Sequence, residues 1–326
     1  MIIMAKRKRR ESVTHKIMNR VIEIQNEKTP HDLSRKNYIR NTKRFIKFCR
    51  EKYDCRDFEF CREHIQDYSD YLQEQDYSPS TIHTYIASVC STFNIPMEEI
   101  QKPIRHIGEF TRGRNNTVNH TNQDLNDPEY ASAVEFQKRV GIRRAELAKL
   151  TSDCLVKDES GEWAVLVKNG KGRKVQLQKL NSPEDIEFIR PYFENKAPGE
   201  LIFTDKEINN DLNFHKLRAL SAQEFYNISL NRLMTEPDFE KQMLDEIQRR
   251  WNRYNLNKET GKPKPFIPDK FKGWYVTRGS VRKAAQENNK PIKYNRLCAL
   301  YTSLMKLSHY RLNVCIENYL VCDTSI

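Results

Sequence analysis

No two of the eight cysteines are spaced as CxxC; they stand at Cys49, Cys55, Cys61, Cys90, Cys154, Cys298, Cys315 and Cys322. A zinc set drawn from Cys49, Cys55, Cys61 and His64 matches no familiar finger, and Cys49 reads as part of a buried helix face. Free thiols in a reducing compartment are therefore expected, and no metal. A leader and any long apolar run are also missing, the opening MIIM being too short for one. The expectation is a cytoplasmic chain that does not enter a membrane. There is no Walker-type glycine loop to cradle a nucleotide, so no cofactor is expected. No internal repeat is visible.

What is present is charge of both signs. Lys and Arg number 56 against 44 Asp and Glu, a net +12. That pattern suggests ordinary solvated surfaces with one or more basic faces, and a phosphate backbone is the commonest partner for such a face. The 326 residues leave room for about two domains. At 38% hydrophobic and 10% aromatic the chain can fill packed cores, which excludes global disorder.

Residues 1–30 read as a basic N-terminal segment, with KRKRR at 6–10 serving either as a solvated tail or as an arm on DNA. From 31 to 102 the pattern is that of a small helical domain. Tyr38, Thr42, Phe45 and Cys49 form one amphipathic stripe, and Ile65, Tyr68 and Leu72 another. YSPST at 77–81 supplies a cap and a helix start for Ile82, Ile86, Val89 and Phe93, and Pro96 ends the element. Residues 103–127 lose the apolar period and have linker composition. The last domain, 128–326, is mostly helical with a β-hairpin over EWAVLVKNGKGRKVQLQKL, its turn expected at Asn169-Gly170. The fold class expected is mainly α: a helical N-terminal domain and a mixed α/β, mostly helical domain with a small antiparallel sheet.

Four short stretches in the second domain carry polar groups suited to chemistry: GIRRAEL at 141–147, GKG at 170–172, HKLR at 215–218 and SHYRLNVCIENYL at 308–320. Each alone is weak; about one HxxR match is expected by chance. Their order is more informative. Arg143, Lys171, His215, Arg218, His309 and Tyr319 run as R…K…HxxR…H…Y, with Glu146 three residues after Arg143. In this order the chain resembles the tyrosine recombinase (phage integrase) family over about 31–320, and residues 31–102 resemble that family's core-binding domain.

The resemblance implies DNA breakage and rejoining through a 3′-phosphotyrosyl intermediate, without metal or ATP. Arg143 and Arg218 would hold the non-bridging oxygens of the scissile phosphate in forked hydrogen bonds, and His309 would add a donor. His215 would take the proton of the nucleophile or donate to the phosphate. Tyr319 would attack; a phenol ionises near pH 10 and needs a cationic neighbourhood. Lys171 would protonate the leaving 5′ oxygen. Tyr310 is the rival nucleophile, and its position beside His309 makes separate roles for the two at one phosphorus hard to satisfy.

The chain departs from the family pattern in two places. The Lys171–His215 interval is short, and 90 residues separate Arg218 from His309, an insertion centred on about 225–285. Arg249, Arg250, Arg253, Lys262, Lys264, Lys270 and Lys272 give that insertion a basic character, read either as a DNA contact outside the core site or as a solvated surface. Arg105, Arg112 and Arg114 in the linker are expected to meet phosphates without reading sequence. The implied partners are double-stranded recombination sites and further copies of the chain, assembled as a tetramer on DNA. A type IB topoisomerase and a catalytically inactive DNA-binding relative are the alternative readings.

Overall fold

The computed structural model describes residues 12–105, 128–170, 174–208, 212–257 and 259–322. The chain divides into two compact units, 1–106 and 107–326. Arg112 and Arg114 lie outside the described residues, as does Lys171; Arg105 is described and exposed.

The first unit is helical throughout: α1 (Val13–Lys28), α2 (Asp32–Tyr53), α3 (Phe58–Arg62), α4 (Ile65–Glu74) and α5 (Pro79–Phe93). Helix α1 precedes residue 31, where the sequence suggested that the helical domain begins. Ser12 caps α1, its side chain accepting from the His15 N–H, and the helix buries Ile17, Met18 and Val21 with Phe45, Ile86 and Val89. Its stripe is hard to read because the fourth buried residue is Gln25, whose Nε2 donates to Thr92 Oγ1 at 2.9 Å. Thr42 and Thr92 share a hydrogen bond at 3.0 Å, and Asn41 Nδ2 donates to Ser88 Oγ at 3.0 Å. This polar seam pairs its buried groups with one another across α1, α2 and α5, so it orients the three helices as well as stabilising them. Helix α5 starts as its sequence suggests, with Ser78 at the cap accepting from Thr81 N–H and Pro79 in the first turn.

The second unit opens with α6 (Ala131–Val140) and the four-residue α7 (Arg144–Leu147). Three antiparallel strands follow in the order β1 (Leu155–Lys157), β2 (Trp163–Gly170) and β3 (Lys174–Lys179). The hairpin is where the alternation placed it, but strand pairing runs on through Gly170 opposite Lys174. The Asn169-Gly170 pair is thus the end of β2 rather than the turn. Helices α8 (Asp185–Glu194) and α9 (Asp205–Ile208) lead to α10 (Phe214–Thr235). Phe214 and Leu217 of α10 enter a core with α6 and the sheet, while Ala222, Phe225 and Tyr226 enter a second core. A helix buried on most faces cannot show a clean apolar stripe.

The second core takes in much of the inserted segment. It contains α11 (Phe239–Tyr254), α12 (Gly279–Glu287), a two-stranded sheet of β4 (Trp274–Val276) and β5 (Lys293–Asn295), and α13 (Arg296–Met305). Phe239, Met243, Ile247 and Trp251 pack in one cluster with Ile316, Tyr319 and Leu320. The inserted segment therefore forms the bed on which the last helical turn lies. Three of its arginines are engaged inside the unit. Arg249 donates to Ser160 Oγ (3.1 Å), Arg250 to the Leu177 carbonyl, and Arg253 pairs with Glu159 at 2.9 Å. They hold α11 to the β1–β2 turn and to β3. Lys262 and Lys264 are exposed, whereas Lys272 pairs with Asp269 at 2.7 Å. Among the described residues no helix is long and apolar enough to cross a membrane.

Candidate active site

Helix α6 ends at Gly141, which adopts φ +68° and donates its N–H to the Gln137 carbonyl at 2.8 Å. The chain reverses there, and Gln137 holds the next residue from both sides: its Nε2 donates to the Ile142 carbonyl and its Oε1 accepts the Ile142 N–H. Arg143 then caps α7. Its backbone N–H donates to Glu146 Oε2 at 2.9 Å and its Nη1 to Glu146 Oε1 at 2.7 Å. Two bonds from one carboxylate leave the Arg143 guanidinium little rotational freedom.

Arg218 lies one helical turn after His215 on α10 and is almost completely buried, 1% exposed. Its Nη1 donates to the Gly141 carbonyl, and its Nη2 to the Leu307 carbonyl at 2.9 Å. Arg143 Nη2 reaches the same Leu307 oxygen at 3.4 Å. Two arginines 75 positions apart thus share one acceptor. Burial and the neighbouring Arg143 charge push the Arg218 guanidinium below its ordinary value, while Tyr319 and Glu146 oppose that shift. A guanidinium nevertheless stays charged in proteins. Burial raises the Glu146 carboxyl, but the Arg143 charge and N–H and the Arg218 charge outweigh it and hold Glu146 below the usual carboxylate range.

That shift has a testable sign. A carboxylate lowered in the folded state contributes stability that is full above its unfolded pKa and is lost as pH falls through the folded value. Glu146→Gln is expected to lower Tm near neutrality, with the gap from the parent closing in acid. Melts across that range check it; a gap constant into acid would mean Glu146 is not the ionised partner of the two arginines.

Leu307 is presented at the end of α13 by a buried lysine. Lys306, 1% exposed, donates to the carbonyls of Arg139 (2.8 Å), Val140 (3.0 Å) and Lys179 (2.8 Å). The Lys306 side chain thus ties the end of α6, the end of β3 and the end of α13 around one point. Ser308 follows at φ +51°, and its buried Oγ has no hydrogen-bond partner. A non-glycine residue in the left-handed region costs about 1–2 kcal/mol. Ser308→Gly is expected to stabilise the chain by about 0.5–1 kcal/mol, after the extra unfolded-state entropy of glycine is subtracted. A denaturant midpoint that fails to rise would show that the φ is set without strain.

Past Ser308, His309 donates its N–H to the Ser303 carbonyl at 2.8 Å, and α14 (Leu312–Cys315) runs into a wider turn over Ile316–Leu320. Tyr319 lies in that turn, 7% exposed. Its ring centre is 5.2 Å from that of His215 and 6.1 Å from that of His309, and the Arg218 guanidinium carbon is 5.9 Å from it. Gln223 of α10 donates to the Tyr319 carbonyl at 2.7 Å and holds the turn from behind. Tyr310 is placed differently: its ring meets Trp251 edge-on at 6.0 Å, and burial raises its phenol.

Arg143, Glu146, His215, Arg218, His309 and Tyr319 are therefore brought together by α6–α7, the start of α10 and the segment 307–320. Gln137 and Lys306 escaped notice in the sequence although they position the group, and Gly141 was noted only as the first residue of GIRRAEL. Gly141 offered a signal, a glycine just past a helix end and two residues before Arg143. Lys306 offered none, since a lysine at the end of an apolar run reads as exposed.

The N-terminal unit is matched by a family model described as the phage integrase N-terminal SAM-like domain, over residues 17–96. The crystal structure of XerA recombinase aligns with 15% identity over 71% of this chain and 98% of that one, at a TM-score of 0.23. No curated protein matches the chain.

Proposed function

We propose that this chain, whose residues 17–96 match the phage integrase N-terminal SAM-like domain, is a tyrosine recombinase that acts site-specifically through Tyr319. The observation that supports the reading most is convergence: Arg143 and Arg218 on one carbonyl, with the Tyr319 ring against Arg218. Cationic groups fixed before the reaction stabilise charge that develops on a phosphorane, and phosphoryl transfer needs little beyond positioning and such charge.

The Tyr319 oxygen attacks phosphorus, a tyrosyl–phosphorus bond forms, and the bond to the 5′ oxygen of the next nucleotide breaks. The phenol proton passes to His215 or to solvent, and the leaving 5′ oxygen takes a proton from Lys171. Arg143, Arg218 and His309 carry the non-bridging oxygens. Rejoining is the same step reversed with a new 5′-hydroxyl, so the phosphodiester energy is kept and no ATP is used. Tyr319 stands beside Arg218 of its own chain, which supports cleavage in cis. Strand exchange would proceed between paired half-sites on a tetramer, with Arg105, Arg112, Arg114, Lys262 and Lys264 meeting phosphates.

The test is a pool of end-labelled, nicked duplexes with randomised flanks, incubated with the full chain and denatured. A labelled protein–DNA adduct that resists denaturant and is released by protease is expected. Retarded DNA with no adduct would overturn the catalytic reading and leave a binding protein.

A further inference from the structure

We propose that the N-terminal unit holds a zinc ion on the thiolates of Cys49, Cys55 and Cys61, with His64 as the side chain for the fourth position. The three sulfurs come from different local elements: Cys49 from α2, Cys55 from the loop that follows and Cys61 from α3. All three are fully buried, and their Sγ atoms lie within 4.8 Å of one another. Zinc–sulfur bonds of about 2.3 Å at tetrahedral angles put sulfurs about 3.8 Å apart, so the group needs to contract by no more than about 1 Å.

Buried cysteine by itself is ordinary, since the thiol behaves as a small apolar group. Cys90 is the internal control: it is 1% exposed in the same unit and outside the cluster. The local backbone is arranged to gather the other three. Asp54 takes φ +47° at the end of α2, and the Cys55 N–H returns to the Cys49 carbonyl at 3.3 Å. Arg50 clamps this reversal by donating to the Cys55 carbonyl at 2.9 Å and to Asp54 Oδ1 at 3.0 Å. Asp57 then caps α3, accepting from the Phe60 N–H at 2.7 Å, and so aims Cys61 back at Cys49.

His64 supplies the second, independent observation. Its Nδ1 is held by Asp67 Oδ2 at 2.8 Å, while its Nε2 is buried with no hydrogen-bond partner. A carboxylate on one ring nitrogen with the other left over is how metal-ligating histidines are oriented. Neither His64 nitrogen is within the 4.8 Å group, so ligation requires the ring to approach the sulfurs. On binding, three S–H protons leave to solvent and three Zn–S bonds form. The ion would staple a five-residue helix, too short to be stable alone, to the end of α2.

The experiment uses the full chain, expressed with added zinc and purified under reduction without chelator, and no DNA, so its outcome is independent of recombinase activity. Mass spectrometry of the metal is expected to find about one zinc per chain. Cobalt in its place should give thiolate charge-transfer absorption and the visible bands of a tetrahedral site. Cys90→Ser should keep the metal, Cys49→Ser and Cys61→Ser should lose it, and His64→Ala should shift the cobalt bands. Should the serine variants fail to fold, chelator titration of the unmodified chain, lowering Tm as zinc is removed, carries the same information. Zinc under about a tenth of an atom per chain with no cobalt bands overturns the proposal. So does a pair of these thiols that, in a second sample purified without reductant and unfolded in denaturant, resists alkylation until reduced, which would mean a disulfide. Unchanged cobalt bands in His64→Ala overturn His64 as the fourth ligand.

Discussion

Tyr319→Phe is expected to abolish the covalent protein–DNA adduct, by at least about a thousandfold in rate, which corresponds to about 4 kcal/mol of barrier. The substitution removes only the oxygen proposed as the nucleophile. The ring keeps its place in the core with Ile316 and Leu320, and the Gln223 bond to the residue's carbonyl is untouched. Stability should change by less than about 1 kcal/mol, and DNA affinity should hold, since the guanidinium groups remain. The adduct is counted on a denaturing gel beside a gel-shift titration of the same sample. An adduct that survives would sink the assignment of Tyr319. Tyr310→Phe would then be made next, although the contact of Tyr310 with Trp251 turns it into the inserted layer. Loss of both adduct and binding would point instead to a fold that depends on the hydroxyl.

Gly141→Ala is expected to be strongly damaging, more so than alanine at any other positive-φ glycine among the described residues, where an added Cβ meets nothing within 4 Å. The residue adopts φ +68°, and an added Cβ would meet Ser221 Oγ at 2.6 Å and Ser221 Cβ at 2.7 Å. Backbone strain costs about 1–2 kcal/mol, and overpacking a filled site costs about 1–3 kcal/mol more. The consequence is chemical too, because the Gly141 carbonyl accepts from Arg218 and Arg143 follows two residues later. A displacement of about 1 Å in a positioning element can cost about a hundredfold in rate. The expected result is a fall of about 3 kcal/mol in unfolding free energy together with reduced adduct formation. Adding Ser221→Gly removes both clashing atoms and leaves only the φ cost, so the double variant should recover part of the loss despite the glycine placed in α10. Equal stability of single and double variants would mean that contact with Ser221 is not what requires glycine here.

Legibility in the sequence followed how local the determining interaction was. Helix α5 could be read from Ser78, Pro79 and its apolar spacing, because caps and stripes act within a few residues. The hairpin β2–β3 was equally plain from its alternation, while β1 was not, being three residues that gain strand character only by pairing with β2. Helix α1 was missed because its packing uses Gln25, a polar residue that is buried only when Thr92 is there to accept from it. The inserted segment was read either as a DNA contact or as a solvated surface, and its engagement inside the unit was hidden for a related reason. Its arginines look like a DNA-facing surface until Ser160, Leu177 and Glu159 are found opposite them.

For the candidate site, the resemblance of their order to the tyrosine recombinase family was what singled out Arg143, Glu146, His215, Arg218, His309 and Tyr319, each motif being weak by itself. Sequence could not decide that they meet. That was decided by the close fit of α6 against α10 at Gly141, by the Lys306 side chain gathering three backbone carbonyls, and by α10, Asn288 and Tyr294 packed against the final turn. The cysteines make the same division from the other side. Their spacing matched no pattern of ligands, because spacing along a chain encodes a metal cage only when the backbone between the ligands is regular. Here a left-handed residue at Asp54 and a cap at Asp57 bend the chain between them, and only the folded backbone brings the three sulfurs together.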